Sequence, residues 1–119
     1  MGVTGIGGFF FRAADPDRLR DWYAEHLGVG SKPYGSWEVQ AGPSVFAPFP
    51  ADTDYFAEDR QWMLNLRVDD LDALCASLTE AGIAMITKPE WNMPGVGRFA
   101  RIHDPEGNPI ELWEPDAES

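Results

Sequence analysis

In the stretch Met63-Leu64-Asn65-Leu66-Arg67-Val68, apolar and polar positions alternate. A period of two predicts a strand with Leu64, Leu66 and Val68 on one face and Met63, Asn65 and Arg67 on the other. Beyond it the period lengthens. Leu71, Leu74, Cys75 and Leu78 recur at helical spacing behind Asp70. The Asp70 carboxylate suits a helix N-cap because it can accept from the free N–H groups of the first turn. Gly82 supplies a stop, since glycine takes the left-handed conformation that ends many helices. The same order occurs 55 residues earlier: with 9–25 laid over 64–80, Arg12 meets Arg67, Asp15 meets Asp70, Asp17 meets Asp72, Leu19 meets Leu74 and Glu25 meets Glu80. Phe9, Phe11, Ala13 and Tyr23 meet Leu64, Leu66, Val68 and Leu78, so the apolar pattern is repeated as well. Asp15 is the cap of this first helix, Pro16 suits its first position, and Gly28 ends it. Leu19, Trp22, Tyr23 and Leu27 form its buried stripe, with core packing the expected role of the two aromatics.

Strand-like segments follow each helix. In the first half they lie near Lys32–Tyr34, Ser36–Gln40 and Ser44–Phe49; in the second they are Ala84–Pro89, Arg98–His103 and Pro109–Glu114. Asp104-Pro105-Glu106-Gly107-Asn108 links the last two and carries the Pro and Gly of a hairpin turn. Pro50–Arg60 has little apolar periodicity and is expected to join the halves. Glu90–Gly97, with two Gly and one Pro around large side chains, reads as a flexible loop able to cover a pocket. The expected fold is α+β: one domain over 1–119, with a first βαβββ module at about 5–50 and a second at about 61–115. Each module alone exposes one sheet face, and two together can enclose a cavity.

Composition narrows the function classes. The net charge is -11, which repels nucleic acid phosphates and argues against DNA or RNA binding. The apolar runs are a few residues long, as at 8–11, too short to span a membrane. The N-terminus lacks a basic segment followed by a long apolar one, so no secretory signal is expected. A single cysteine, Cys75, makes neither an internal disulfide nor a multi-cysteine metal site. The expected location is cytoplasmic.

The sequence resembles the glyoxalase/bleomycin-resistance/dioxygenase superfamily, also called the vicinal oxygen chelate superfamily. The resemblance is carried by Phe9 to Gly28, by Val68-Asp69-Asp70-Leu71-Asp72 through Gly82, and most specifically by Asp104 through Trp113. It implies two βαβββ modules with strongly curved mixed sheets around a cleft. It also implies pairing of single chains of this length into homodimers. Metal-using members hold a divalent ion on the first and last strands of the modules, and their activities include glyoxalase-type isomerisation and ring-cleaving dioxygenation. Other members use no metal and sequester a drug. Carried over residue by residue, the first-strand ligand position falls on Gly8, seven before Asp15, and on Met63, seven before Asp70. Gly8 has no side chain, and methionine is a poor ligand for hard ions. The last-strand carboxylate position falls on Glu111; its first-half counterpart, near Val45–Phe49, holds no Asp, Glu, His or Gln. His26 sits late on the first helix, away from the cleft. Glu111 with His103 leaves a three- or four-ligand site incomplete. No cofactor is therefore expected, with a divalent metal as the alternative and Glu111 its one ligand.

Alternation nominates the cleft face. Met63, Asn65 and Arg67 oppose the core positions of their strand, and the first strand presents Gly8, Phe10 and Arg12 by the same rule. Phe99, Arg101 and His103 oppose Ala100 and Ile102; Glu111 and Trp113 oppose Ile110 and Leu112; Trp37 and Val39 share one face of an earlier strand. Aromatics with a few charged groups are the makeup of a small-molecule pocket. Arg12, Arg67 and Arg101 suit a carboxylate or phosphate, which a guanidinium grips in bidentate fashion. The alternative for Arg12 and Arg67 is surface pairing with Asp15, Asp69 or Asp70. Glu111 is a general base, a metal ligand or a structural partner for an arginine, and His103 is a cleft residue or an ordinary surface histidine. Three functions follow: a metal-independent protein binding an aromatic or carboxylate-bearing small molecule; a metal-dependent glyoxalase-type lyase, isomerase or dioxygenase with an atypical site; or a non-catalytic accessory subunit with a vestigial cleft.

Overall fold

A computed structural model describes residues 2–116. Helix α1 spans Pro16–Leu27 and helix α2 spans Leu71–Glu80. Three strands, β1 (Leu64–Arg67), β2 (Gly97–His103) and β3 (Pro109–Pro115), form one mixed sheet in the order β1-β3-β2. β1 runs parallel to β3, with Leu64 beside Ile110 and Arg67 beside Trp113; β2 runs antiparallel to β3, with Arg101 beside Glu111.

The caps are those the residue types dictate. Asp15 accepts from the Arg18 N–H at 3.2 Å and Asp70 from the Ala73 N–H at 3.0 Å. α1 ends at Gly28 in the left-handed region (φ 68°). Both helices cover the same face of the sheet. Leu19 and Tyr23 from α1 and Leu71 and Leu78 from α2 share one apolar cluster with Leu66, Ala100, Ile102, Ile110 and Leu112. Each large side chain removed from water here stabilises the fold by roughly 1.5–3 kcal/mol. Trp22, Leu27, Leu64, Val68, Leu74 and Cys75 pack half-buried around this cluster.

The Asp104–Asn108 turn does more than reverse the chain. Asp104 is buried, and its two oxygens accept from four donors: the N–H groups of Glu106 and Asn108, the Asn108 side-chain amide, and the Tyr23 hydroxyl at 2.7 Å. Burial, then the bond to Asp104, pushes the Tyr23 phenol up from its ordinary value. Glu106 accepts from the Ala14 and Asp15 N–H groups at the start of α1, and Arg60 donates to Asn108 Oδ1 and to the Glu106 carbonyl. The turn thus docks the first half onto the second.

Five expected strands take another form, and among the described residues two complete modules are not seen. Among the described residues the ladders belong to the second half alone. Lys32–Tyr34 is not a strand: Pro33–Gly35 forms a 3-10 turn, with proline at its first position and Tyr34 in the left-handed region. The first strand around Gly8–Arg12, Ser36–Gln40 and Ser44–Phe49 carry no ladder. Pro43, Pro48 and Pro50 lack the N–H that ladder pairing needs, so the first-half counterpart of β3 is poorly equipped to pair. Ala84–Pro89 shrinks to a single bridge between Ile86 and Arg101, because Pro89 opens a second 3-10 turn, Pro89–Trp91. Among the described residues no helix is long and apolar enough to cross a membrane.

Candidate functional site

The sheet face opposite the helices carries Glu111 and Trp113 from β3 and Phe99 and Arg101 from β2, as alternation requires. Cross-strand pairing puts Arg101 beside Glu111 and Phe99 beside Trp113. The Phe99 and Trp113 rings stack at 6.2 Å, and the Trp113 indole N–H donates to the Val96 carbonyl at 2.9 Å. That bond ties the 92–97 loop to the sheet.

Arg101 and Glu111 do not form an ion pair with each other. Glu111 accepts from the Asn65 side-chain amide at 2.7 Å and, in a very short bond, from the Tyr55 hydroxyl. Burial, and then the bond to Glu111, pushes the Tyr55 phenol up to about 12, so it stays a neutral donor. Arg101 is 5% exposed. Its guanidinium lies 4.8 Å from the Tyr55 ring centroid and 5.2 Å from that of Trp91, and Nη1 donates to the Tyr55 carbonyl. Its Nε and Nη2 are buried with no hydrogen-bond partner. A buried, half-bonded guanidinium is costly, since each lost bond to water goes uncompensated. An open depression of about 440 Å³, lined by 52–58 and Arg101, lies over this point.

The other expected site residues are scattered. Phe10 is 93% exposed, and Trp37 and Arg12 are exposed too. Arg67 is occupied, donating to the Gln40 carbonyl at 2.5 Å and to that of Pro43, rather than pairing with Asp15, Asp69 or Asp70. Met63 is half-buried beside β1. His103 is exposed at the end of β2; desolvation first, then the Arg101 charge, holds its imidazole below the usual value. Sequence reasoning nominated Arg101, Glu111 and Asn65 but missed Tyr55 and Trp91, which complete the cluster. The available signal was an aromatic pair, Tyr55-Phe56, inside a connecting segment that is otherwise acidic and polar. The rings form a chain from Phe56 to Trp91: Phe56 lies edge-on to Phe49, Phe49 stacks on Tyr55 at 5.6 Å, and Trp91 lies edge-on to Tyr55.

The donor set does not fit a divalent ion of the superfamily's kind. Both Glu111 oxygens are already bonded, and among the described residues no three His, Cys, Asp or Glu gather closely enough to hold a metal.

The chain matches the glyoxalase-like domain family over residues 8–113. It is 32% identical, with a TM-score of 0.62, to the crystal structure of TnmS3, an antibiotic binding protein from Streptomyces sp. CB03234, covering 98% of this chain and 99% of that one. A glyoxalase/bleomycin resistance protein from the same organism is 33% identical with a TM-score of 0.51, over 85% of this chain and 92% of its own. CFP32 of Mycobacterium bovis, whose name includes the word glyoxylase, is 39% identical over 78 residues, 66% of this chain. The matched region spans 27% of the length of that curated relative and of its Mycobacterium tuberculosis counterpart. With the family match running from the first extended segment to the last strand, the chain belongs to the glyoxalase-like domain family.

Proposed function

We propose that this protein binds and sequesters an aromatic or carboxylate-bearing small molecule without the superfamily's usual metal. The observation that carries this reading is Arg101: buried, stacked by Tyr55 and Trp91, with Nε and Nη2 unpartnered. A fold maximising stability alone would not keep such a group, whereas a ligand acceptor would complete its bonds. The likeness to an antibiotic binding protein over nearly the whole chain supports the same class.

Replacing Arg101 with methionine separates the two roles. Thermal stability is expected to stay within about 1 kcal/mol of wild type or to rise, because the buried unpaired cation is removed while most of its volume is kept. Affinity for 2-naphthoate and 2-naphthol, measured by calorimetry, is expected to fall about tenfold or more, the worth of one charge-assisted bond. Unchanged affinity would remove Arg101 from the site. A second reading, an accessory subunit with a filled cleft, is favoured by Tyr55 lying across Glu111; it requires that neither probe bind wild type.

The reading includes a homodimer in the cytoplasm. Phe10, Val39, Val45 and Phe46 are strongly exposed, on first-half segments that have no ladder partner among the described residues. A second copy would cover these side chains and pair that backbone. Light scattering is expected to return twice the 13.2 kDa chain mass, and Phe46→Asp to shift the protein toward monomer. A monomeric wild type at tens of micromolar would exclude the pairing.

A further inference from the structure

Tyr55 does not belong to the sheet it covers. It comes from the 49–60 segment, which joins the halves and contains no helix or strand. The far end of that segment is pinned where Arg60 meets the Asp104–Asn108 turn. Within 52–58 the backbone is held, apart from the Tyr55 carbonyl, by local turn bonds alone: Thr53 N–H to the Pro50 carbonyl, Tyr55 N–H to Thr53 Oγ1 at 3.2 Å, and Arg60 N–H to the Ala57 carbonyl. What fastens it to the sheet is the Tyr55 residue itself. Its ring lies on the Arg101 guanidinium and against Trp91, its hydroxyl bonds Glu111, and its carbonyl takes Arg101 Nη1. One aromatic ring with one hydroxyl thus satisfies a cation face, an aromatic edge and a carboxylate together.

We propose that Tyr55 is an internal occupant of the binding cleft, and that the ligand is a neutral phenolic aromatic which displaces it, placing its ring on Arg101 and Trp91 and its hydroxyl on Glu111. This rests on the small-molecule-binding reading above and selects between its two ligand classes. The choice of a neutral phenol over a carboxylate comes from the charges around the opening. Asp52, Asp54 and Glu58 line the depression, Tyr55 in its lining holds Glu111 through its hydroxyl, and the chain carries -11 overall. An entering carboxylate meets this field and places its charge beside Glu111, whereas a phenol supplies the donor that Glu111 already uses. The unpartnered Nε and Nη2 of Arg101 remain for an acceptor elsewhere on the same ligand, such as a carbonyl oxygen. Removal of the tyrosine hydroxyl and ring frees the Glu111 oxygen that accepts from it for the hydroxyl of a ligand.

The sign of one substitution decides the matter. A site blocked by its own side chain binds with an affinity reduced by the fraction of molecules in which it is open. With Tyr55 seated in most molecules, Tyr55→Ala is expected to bind 2-naphthol about tenfold or more tighter than wild type. The same variant is expected to bind 2-naphthol more tightly than 2-naphthoate or naphthalene. Adding Glu111→Leu is expected to erase the preference of naphthol over naphthalene. Tyr55→Phe, which keeps the ring and loses only the bond to Glu111, is expected to show a smaller gain, and it serves in place of the alanine variant if that chain does not fold by circular dichroism. Equal or weaker naphthol binding by a folded variant, with naphthoate still bound by wild type, overturns the displacement and leaves the small-molecule reading standing. No binding of any of the three probes by wild type or folded variants overturns both.

Discussion

Replacing Asp104 with alanine is expected to lower the unfolding free energy by about 3–5 kcal/mol, a large share of what a domain of this size possesses. The reason is the number of donors that converge on one buried carboxylate. Oδ1 accepts from the N–H groups of Glu106 and Asn108, and Oδ2 from the Tyr23 hydroxyl and the Asn108 amide. Alanine leaves all four without an acceptor, and Tyr23 and Asn108 are themselves buried. Asparagine is expected to recover only part of the loss. It presents one accepting oxygen where two are used, and its NH₂ would face other donors. Thermal denaturation of the three proteins checks the order: wild type, then Asn, then Ala. A midpoint for the alanine variant within roughly 4 °C of wild type, equivalent to about 1 kcal/mol, would show that this network is not what docks α1.

Gly97→Ala is the second large effect, about 3 kcal/mol of destabilisation or roughly 10–15 °C in the midpoint. Gly97 has φ 141°, a backbone region that side chains rarely enter, and a Cβ there would lie 2.2 Å from the Glu114 carbonyl oxygen and 2.7 Å from Trp113 Nε1. The first obstacle is strand backbone, so no rotation of a side chain relieves it. The sheet end must open instead, and with it the pairing of Gly97 to Pro115 and the Trp113 bond to Val96. Because Trp113 is 5% exposed, its release is expected to red-shift the tryptophan emission at temperatures where the chain is still folded. An unshifted spectrum together with an unchanged midpoint would contradict this account.

These two positions mark different degrees of legibility. The residues Asp104 to Asn108 are readable as a turn from Pro105 and Gly107 alone. That the same residues bind Tyr23, Ala14, Asp15 and Arg60 is not readable, because those partners lie 46 to 92 positions away along the chain. Gly97 reads as loop glycine; only the approach of Glu114 shows why no other residue fits. The site divides in the same way. Strict alternation puts Arg101 and Glu111 on the face opposite Ile102 and Ile110, which are fully buried in the core. Nothing periodic marks Tyr55, which reaches Glu111 from a segment without regular structure.

What the sequence by itself determined is local and periodic: both helices with their Asp caps and Gly stops, the three strands of the second half, and which side of each strand meets the helices. These follow from backbone geometry and burial acting within a few residues. The tertiary structure alone decided the rest. Among the described residues it left the first-half segments without a ladder despite their repeat of the second-half pattern, since pairing depends on which edge and which N–H groups stand alongside. It gave Arg67 to the carbonyls of Gln40 and Pro43 and left Arg101 half-bonded, since a guanidinium's partners are set by whatever chain folds over it. And it laid Tyr55 across Glu111, because a connecting segment's course is fixed by where its aromatic rings find cover, a property of the assembled surface rather than of any stretch of sequence.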